Sequence, residues 1–257
     1  MQVVVRALRV IQYLGTRTQG VTLGELSDHF GVAPATMHRL MAVLTEHEFA
    51  VRTGDSKQFS LGPAALSLAQ ATRHVADVAR PHMQDLSAST GETVFLTELV
   101  GRRAVCVALV DGTRPLRLFV RVGQELPLNA AASARVLLAF QGEAQIDELL
   151  EAHDLMRFGP GTPTTSAAIK AHLVEVVRQD YDLCDGELDA NVVAVAAPIR
   201  GREGDVVASL TAACPSNRMD PLARKRLISL VQDAAARISA GIGYSPPLRP
   251  GTDRHHA

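Results

Sequence analysis

Four residues between positions 22 and 34 constrain the fold of this chain more than any other part of its sequence. Thr22 and Glu25 have the spacing of a capping box, in which a hydroxyl and a carboxylate satisfy the free amides that begin a helix. Gly31 stands where that helix must end, since glycine readily adopts the left-handed conformation that turns the chain. Pro34 then suits the first position of another helix. The sequence therefore predicts two short helices joined by a tight turn, which is a helix-turn-helix.

Apolar residues on either side place these two helices in a larger unit. Their spacing predicts a first helix over residues 3–14 and one apolar face on the helix that begins at Pro34. Further along, apolar residues alternate on both sides of the polar turn at residues 53–56, which predicts a β-hairpin. Three helices followed by a hairpin form a winged helix, and in a helix-turn-helix the second of the paired helices enters the major groove of DNA.

The residues expected to contact DNA lie on this recognition helix, at the start of the preceding helix and on the wing. They are Thr22, Pro34, Ala35, Thr36, His38, Arg39, Arg52 and Lys57. Arg39 is the candidate for a guanine or phosphate contact because a guanidinium bonds two acceptors at once, and the wing residues suit phosphates. His38 has an alternative structural role as a bridge to a backbone carbonyl. Small units of this kind also serve as protein-binding modules, which is the alternative to DNA binding.

Length and composition predict a folded cytoplasmic protein of two domains. The chain has 257 residues, which is more than one hydrophobic core usually organises, so two domains are expected. Hydrophobic residues make up 47% of the chain and charged residues 21%, which is typical of a folded protein. Its first 80 residues carry eight bases and six acids, and the remainder carries 18 bases and 21 acids. The three cysteines are far apart, which indicates reduced thiols. The longest apolar stretch, residues 192–199, is too short to span a membrane, and the N-terminus lacks the pattern of a signal peptide.

The second part of the chain predicts a mixed α+β domain. A linker helix is expected over residues 63–79, followed by a break at Pro81 and a helix over 82–90. Strands are predicted at 94–99, 104–110, 116–120, 183–187, 192–198 and 206–213, with helices at 133–140, 146–152, 166–180 and 220–241. Such an order suggests an antiparallel sheet with helices around it. The expected domains are a winged helix at 1–62, the linker at 63–79, a second domain at 80–243 and a disordered tail at 244–257.

Motifs along nearly the whole chain resemble, in their order and spacing, the IclR family of bacterial transcription regulators. In the N-terminal part they are Arg6-Ala7-Leu8, residues 23–26, Gly31-Val32, residues 36–40 and Phe59-Ser60-Leu61-Gly62. In the second part they are residues 90–93, 121–123, 126–130, 185–187, 196–199 and 206–213. The resemblance implies a winged helix-turn-helix joined by a linker helix to a GAF/profilin-like, antiparallel-sheet effector-binding domain. It also implies a homodimer or homotetramer that binds a palindromic operator and responds to a small organic acid.

The resemblance further implies where the effector binds. The expected residues are Asn129, Ala130, Ala131, Ala132, Ser133, Asp185, Ala194 and Ala213. Further candidates in the sequence are Cys106, Arg117 and Arg121, for which core packing or a solvated strand face is the alternative, and core packing is favoured for Cys106. Backbone amides of the small-residue turn before Ser133 suit a carboxylate, because helix N-termini attract anions. Relatives often have His, Thr, Cys and Ser where this chain has Asn129, Ala131, Ala194 and Ala213. Fewer polar atoms then need partners, so an aromatic or acyl carboxylate is expected. Alternatively, the domain has lost its ligand and only holds the oligomer together.

Two further expectations follow from residues that the chain lacks. It has Ala33, Pro34 and Ala35 where the family usually has Pro-Lys-Ser, so weaker non-specific DNA affinity is expected. It has no nucleophile-elbow, phosphate-loop, dinucleotide-binding or zinc-protease motif, so no enzyme activity and no cofactor are expected. Cys184 stands beside carboxylates, which would raise its pKa and make it a poor nucleophile. The cysteines and histidines lack the spacing of metal ligands.

Overall fold

The computed structural model describes residues 2–17, 19–53, 57–65, 74–114 and 120–245. The chain divides into two compact units, Met1–Arg73 and His74–Ala257. Several predicted features lie outside the described residues. They are the tip of the wing turn at 54–56, residues 66–73 of the linker helix, residues 116–119 of the predicted strand at 116–120, and the tail from residue 246. Arg117, a candidate effector residue, is among them. The domain boundaries given above remain predictions.

The N-terminal unit is a winged helix, as predicted. Its helices are α1 (Gln2–Gly15), α2 (Leu23–Phe30) and α3 (Pro34–Glu46). Its strands are β1 (Val21–Thr22), β2 (Ala50–Thr53) and β3 (Gln58–Leu61), which pair antiparallel in the order β1-β3-β2. The core residues are Val10, Leu14, Val21, Leu26, Met37, Met41, Leu44 and Ala50. Helix α1 turns Val10 and Leu14 into this core and leaves Val4 and Leu8 more than half exposed.

The capping signals of the helix-turn-helix are confirmed. The Glu25 amide donates to Thr22 Oγ1 (3.3 Å), and Glu25 Oε2 accepts from the Thr22 amide (2.7 Å), so the capping box closes in both directions. Gly31 ends α2 in the left-handed conformation with φ of 60°. Pro34 opens α3, but Ala33 at the cap position makes no side-chain bond. Helix α3 therefore begins with amides that no side chain satisfies.

The second unit is built on a six-stranded antiparallel sheet. Its helices are α4 (His74–Thr90), α5 (Ala132–Ala139), α6 (Glu143–Glu151), α7 (Ser166–Gln179) and α8 (Pro221–Gly241). Its strands are β4 (Thr93–Val100), β5 (Arg103–Val110), β6 (Glu125–Leu126), β7 (Asp182–Asp185), β8 (Val192–Arg200) and β9 (Val206–Pro215). They run in the order β6-β5-β4-β9-β8-β7. The predicted α+β class with an antiparallel sheet is confirmed.

The two faces of this sheet carry separate hydrophobic cores. On one face α4 and α8 pack through residues such as Met83 and Leu227 against inward-facing residues of the central strands, for example Leu210. On the other face α5, α6 and α7 pack against side chains that include Phe95 and Ala196. Helix α5 is buried along its whole length, so it forms the inner wall of the domain on that side.

The second unit differs from the prediction at three elements. Helix α4 continues through Pro81 to Thr90, whereas a break was expected at Pro81. Proline in a helix costs about 3 kcal/mol, and packing of the buried Ala79 and Met83 on the sheet offsets that cost. Strand β6 has only two residues and was not predicted, because two residues carry no readable alternation. Strand β7 ends at Asp185 instead of residue 187.

Candidate DNA-binding surface and effector cavity

The predicted DNA-contacting residues of α3 form one exposed surface. Pro34, Ala35, Thr36, His38 and Arg39 are all exposed, while Met37 and Met41 on the opposite side are buried. The apolar face of α3 is therefore buried in the core of the N-terminal unit. Its other face is exposed.

His38 and Arg39 have no hydrogen bond or ion pair within the described residues. The bridge from His38 to a backbone carbonyl, considered above as its structural role, is therefore not present in the described part of the chain. Arg52 is exposed on β2 of the wing, and Lys57 is exposed in the turn just before β3. Thr22 is half-buried, and its side chain is engaged in the capping box of α2.

The second unit contains a cavity of about 720 Å³ between the sheet and helix α5. Its residues come from β6, the turn into α5, the loop after α6, the strands β4, β7, β8 and β9, and the segment that follows β7. The buried part of the lining consists of Phe95, Leu126, Leu128, Asn129, Ala131, Ala132, Ser133, Cys184, Thr211 and Ala213, with Ala194 half-buried beside them. This volume lies within the range of small-molecule sites.

The deep end of the cavity contains hydroxyl groups that have no partner. Ser133 Oγ and Thr211 Oγ1 are buried and make no hydrogen bond, and both residues line the cavity. The Ala134 amide closes the first turn of α5 by donating to the Ala131 carbonyl (3.1 Å), so the amides of Ala132 and Ser133 precede that bond. Unsatisfied donors at a helix start, next to unpartnered hydroxyls, suit an acceptor group such as a carboxylate.

The rim of the cavity has a different chemistry. Its ionisable side chains are Glu125, Asp154 and Asp189, all exposed, together with the half-buried His153. His153 Nε2 lies 3.6 Å from Glu125 Oε1. No lysine or arginine lines the cavity among the described residues. An anionic ligand would therefore be held by neutral donors at the deep end, away from the acidic rim.

The structure brings most of the predicted effector residues together. Six of them line the cavity: Asn129, Ala131, Ala132, Ser133, Ala194 and Ala213. Ala130 is buried outside the lining. Asp185 also lies outside it and pairs with Arg224 (2.6 Å), because alternation along β7 turns Cys184 inward and Asp185 outward. Among the further candidates, Cys106 is a core residue and Arg121 is exposed away from the cavity.

A buried ionic network behind the cavity was missed at the sequence level. The side chain of Arg135 is completely buried; its Nε lies 2.6 Å from Asp182 Oδ2, and its Nη1 lies 2.5 Å from Glu187 Oε2. Arg135 Nη1 also donates to the Asn129 carbonyl (3.2 Å), and Asp182 Oδ1 lies 2.7 Å from His172 Nε2. The signal in the sequence was an arginine inside the apolar helix α5, since a fully buried arginine is rare without partners.

This network ties the cavity walls to one another. Arg135 donates to the Asn129 carbonyl in the turn before α5. Asn129 Nδ2 in turn donates to the carbonyls of Met156 (2.8 Å) and Pro163 (2.9 Å). Thr162 Oγ1 donates to the Glu187 carbonyl, which joins the same loop to the segment that follows β7. The turn that precedes α5 is therefore held by hydrogen bonds that join Asn129 to three other residues, Arg135, Met156 and Pro163.

The three cysteines are all buried and free. Burial raises the pKa of Cys106 to about 11 and of Cys214 to about 12. Burial also raises the pKa of Cys184, and the charge of Arg135 opposes that rise. The thiols are therefore protonated at neutral pH. The expected direction for Cys184 is confirmed, but its main cause is burial instead of the neighbouring carboxylates.

Within the described ranges, no three histidine, cysteine or acidic side chains are grouped so that they could hold a metal ion. In the same part of the chain, no helix has both the length and the apolar character needed to cross a membrane.

Comparison with known proteins identifies the family. Residues 3–54 match the IclR helix-turn-helix domain, and residues 68–240 match the C-terminal domain of IclR bacterial transcriptional regulators. The chain belongs to the IclR family. Its relatives include the HTH-type transcriptional regulator KipR of Bacillus subtilis, 31% identical over 88% of this chain and 91% of that protein. Another is the HTH-type transcriptional regulator XynR of Escherichia coli, 27% identical over 95% of this chain and 98% of the relative.

Solved structures of IclR proteins share the fold. An IclR homolog from Microbacterium hydrocarbonoxydans, crystallised in complex with 4-hydroxybenzoate, has a TM-score of 0.76 and 25% identity. The match covers 93% of this chain and 98% of that one. The predicted family and fold are thus confirmed. Like its IclR relatives, the protein is a transcription regulator with a DNA-binding helix-turn-helix and an effector-binding C-terminal domain, and not an enzyme.

Proposed function

We propose that this IclR regulator reads operator DNA with the exposed face of α3. Thr36, His38 and Arg39 would face base edges in the major groove, with Pro34 and Ala35 at the helix start near the backbone. Arg52 and Lys57 would contact phosphates from the wing. The observation that carries the proposal is that His38 and Arg39 are exposed and have no partner within the described residues.

The test is a binding assay of the full chain on DNA from upstream of its own gene, over a range of salt concentrations. Arg39→Ala should weaken specific binding by about 1–3 kcal/mol, because a bidentate base or phosphate contact is lost. Arg178→Ala is the matched control, since Arg178 is exposed on α7 and pairs with the neighbouring Glu175. Equal DNA affinity of the Arg39→Ala and Arg178→Ala variants would show that Arg39 does not contact the DNA.

We also propose a two-fold oligomer, a dimer or a pair of dimers, on a palindromic operator. One recognition helix contacts only a few base pairs, so two copies are needed for a site that is specific in a genome. Their half-sites should lie about 10 base pairs, or one helical turn, apart, or a multiple of that spacing. Light scattering of the protein–DNA complex, with intact and halved operators, tests this. A single copy bound with full affinity to a half-site would contradict it.

We further propose that the cavity binds a small carboxylate with an aromatic or acyl body. Two features support this: apolar walls around Phe95 and Ala213, and unpartnered donors at Ser133. The carboxylate would lie at the start of α5 and the apolar body against the sheet. The IclR homolog that binds 4-hydroxybenzoate adds support from a relative.

Calorimetry against paired ligands tests the effector class. Benzoate and 4-hydroxybenzoate should bind, while benzamide should bind more weakly because it lacks the negative charge that the α5 amides favour. Tight binding of glyoxylate or pyruvate, with none of the aromatic acids, would overturn the proposed class. If no acid of a broad panel changes either the melting temperature or DNA affinity, the domain serves only in oligomerisation, which is the second candidate.

A further inference from the structure

A second concave site lies on the opposite side of the sheet from the effector cavity, where the end of α4 meets α8. It is a cleft of about 190 Å³ whose charged lining consists of Arg114, Arg218, Arg226 and Glu92. We refer to it as the arginine cleft. The remaining lining includes apolar side chains such as Met219 and Leu230. The effector cavity and the arginine cleft share no lining residue.

Two of the arginines are held in place by the single carboxylate of the cleft. Glu92 is almost completely buried, and its Oε1 lies 3.3 Å from Arg114 Nε. Both oxygens of Glu92 accept from Arg218 Nη1, at 3.1 and 3.0 Å. Arg114 Nη2 also donates to the Thr90 carbonyl (3.2 Å), which is one of the free carbonyls at the end of α4. These guanidinium groups are thus ordered before any ligand arrives.

Gly91 allows Arg114 to take this position. A Cβ added at Gly91 would lie 2.7 Å from Arg114 Nε, and its φ of 75° is in the left-handed region. Any side chain at this position would therefore push the guanidinium away from Glu92. The third arginine, Arg226, is exposed on the face of α8 that lines the cleft, and it has no ion pair or hydrogen bond within the described residues.

The described residues that line the arginine cleft carry more positive than negative charge. They include three guanidinium groups and one carboxylate, so the charges of the lining sum to +2. Arginine cannot lose its proton in a protein, so the excess persists at every physiological pH. Planar guanidinium groups match the oxygens of phosphate and carboxylate, and hydrogen bonds between ionised groups are about twice as strong as neutral ones.

We propose that the arginine cleft binds a small dianionic oxyanion, either a phosphoryl group or a compact dicarboxylate. The ligand would contact Arg226 and Arg114 and would take up the charge that Glu92 leaves uncompensated. The cleft volume of about 190 Å³ restricts the ligand to a small molecule. This site is separate from the effector cavity and does not depend on the function proposed for that cavity.

Titration calorimetry of the full chain at constant ionic strength tests the site, with inorganic phosphate in one arm and succinate in the other. Saturable binding of one dianion per chain is expected, and Arg226→Gln should weaken it about tenfold, the loss of one charge-assisted bond. Arg237→Gln is the matched control, because Arg237 is exposed on the same helix and does not line the cleft. Tighter binding of phosphate or of succinate then identifies which of the two ligand classes the cleft prefers.

A variant that fills the effector cavity, Ala194→Leu, separates the two sites. Phosphate or succinate binding should be unchanged in that variant, whereas the response to aromatic acids should be lost. The proposal is overturned if neither dianion binds saturably at millimolar concentration, or if Arg226→Gln and Arg237→Gln bind equally well. It is also overturned if Ala194→Leu abolishes dianion binding, since the ligand would then lie in the effector cavity.

Discussion

Arg135 Nε lies 2.6 Å from Asp182 Oδ2, and both side chains are almost completely buried. The pair joins helix α5 to strand β7, directly behind the turn that opens the effector cavity. Arg135 has further partners in Glu187 and in the carbonyls of Asn129 and Ala130. A buried ion pair contributes little by itself, but removing one partner leaves a charge with no compensation. This relationship therefore determines how the second unit responds to mutation and to acid.

Arg135→Met should lower the free energy of unfolding of the second unit by about 3–5 kcal/mol, because Asp182 is left charged and buried. Urea-induced unfolding at neutral pH measures the loss. Arg178→Met is the control, since the Arg178–Glu175 pair is more than half exposed and should contribute below about 1 kcal/mol. Adding Asp182→Asn to Arg135→Met should recover roughly half of the loss. No recovery would mean that the buried charge is not the cause.

The same network predicts a dependence of stability on pH. Burial raises the pKa of Asp182, but hydrogen bonds and charges from His172 and Arg135 outweigh this, and the pKa is lowered overall. A lowered pKa in the folded state contributes stability above the ordinary value, about 3.9, and that contribution is lost as the pH falls through the folded value. Asp182→Asn should therefore flatten the loss of unfolding free energy below about pH 4. Asp233→Asn, at an exposed position, should leave the slope as in the wild type.

Ser133→Ala should weaken binding of the effector carboxylate about fivefold to tenfold, since one unpartnered donor at the deep end is removed. Calorimetry with the best-binding acid of the panel measures this. Thr97→Val is the matched control, because Thr97 Oγ1 is also buried without a partner but does not line the cavity. That variant should bind normally and be as stable as the wild type or more so. Equal weakening in both variants would indicate a general effect on the fold.

Ala33→Ser should stabilise the N-terminal unit by about 0.5–1 kcal/mol. Ala33 occupies the cap position of α3 without a side-chain bond, and a serine hydroxyl there satisfies a free amide. Thermal unfolding of the N-terminal unit measures the gain. Ala42→Ser adds the same hydroxyl at an exposed position inside α3, where it caps no free amide, and should give no increase. A stability of Ala33→Ser equal to that of the wild type would show that water already satisfies those amides.

Local signals made the N-terminal unit predictable. The Thr22–Glu25 capping box, Gly31 and Pro34 each act within one or two helical turns, so their spacing alone sets where α2 and α3 begin and end. Helix α4 was interrupted in the prediction because the cost of Pro81 is local, whereas the packing that outweighs it comes from the sheet.

The second unit was predictable in class but only partly in its site. Arg135 and Asp182 are 47 residues apart, and no pattern in the sequence links two positions at that separation. Asp185 was expected near the effector, but strand alternation turns it outward, and Cys184 takes the inward position. The small residues at 131, 194 and 213, which the resemblance assigned to the effector site, all line the cavity, and their contact with an effector remains a prediction.

Ala194 and Ala213 are direct cross-strand neighbours on β8 and β9, and both side chains face the effector cavity. Methyl groups therefore form part of its floor, on strands whose backbone bonds do not involve the side chains. A single substitution to valine or leucine at either position makes the chamber shallower while the sheet stays in register. If this cavity is the effector site proposed above, such a substitution would change which ligands fit without altering any residue of α3.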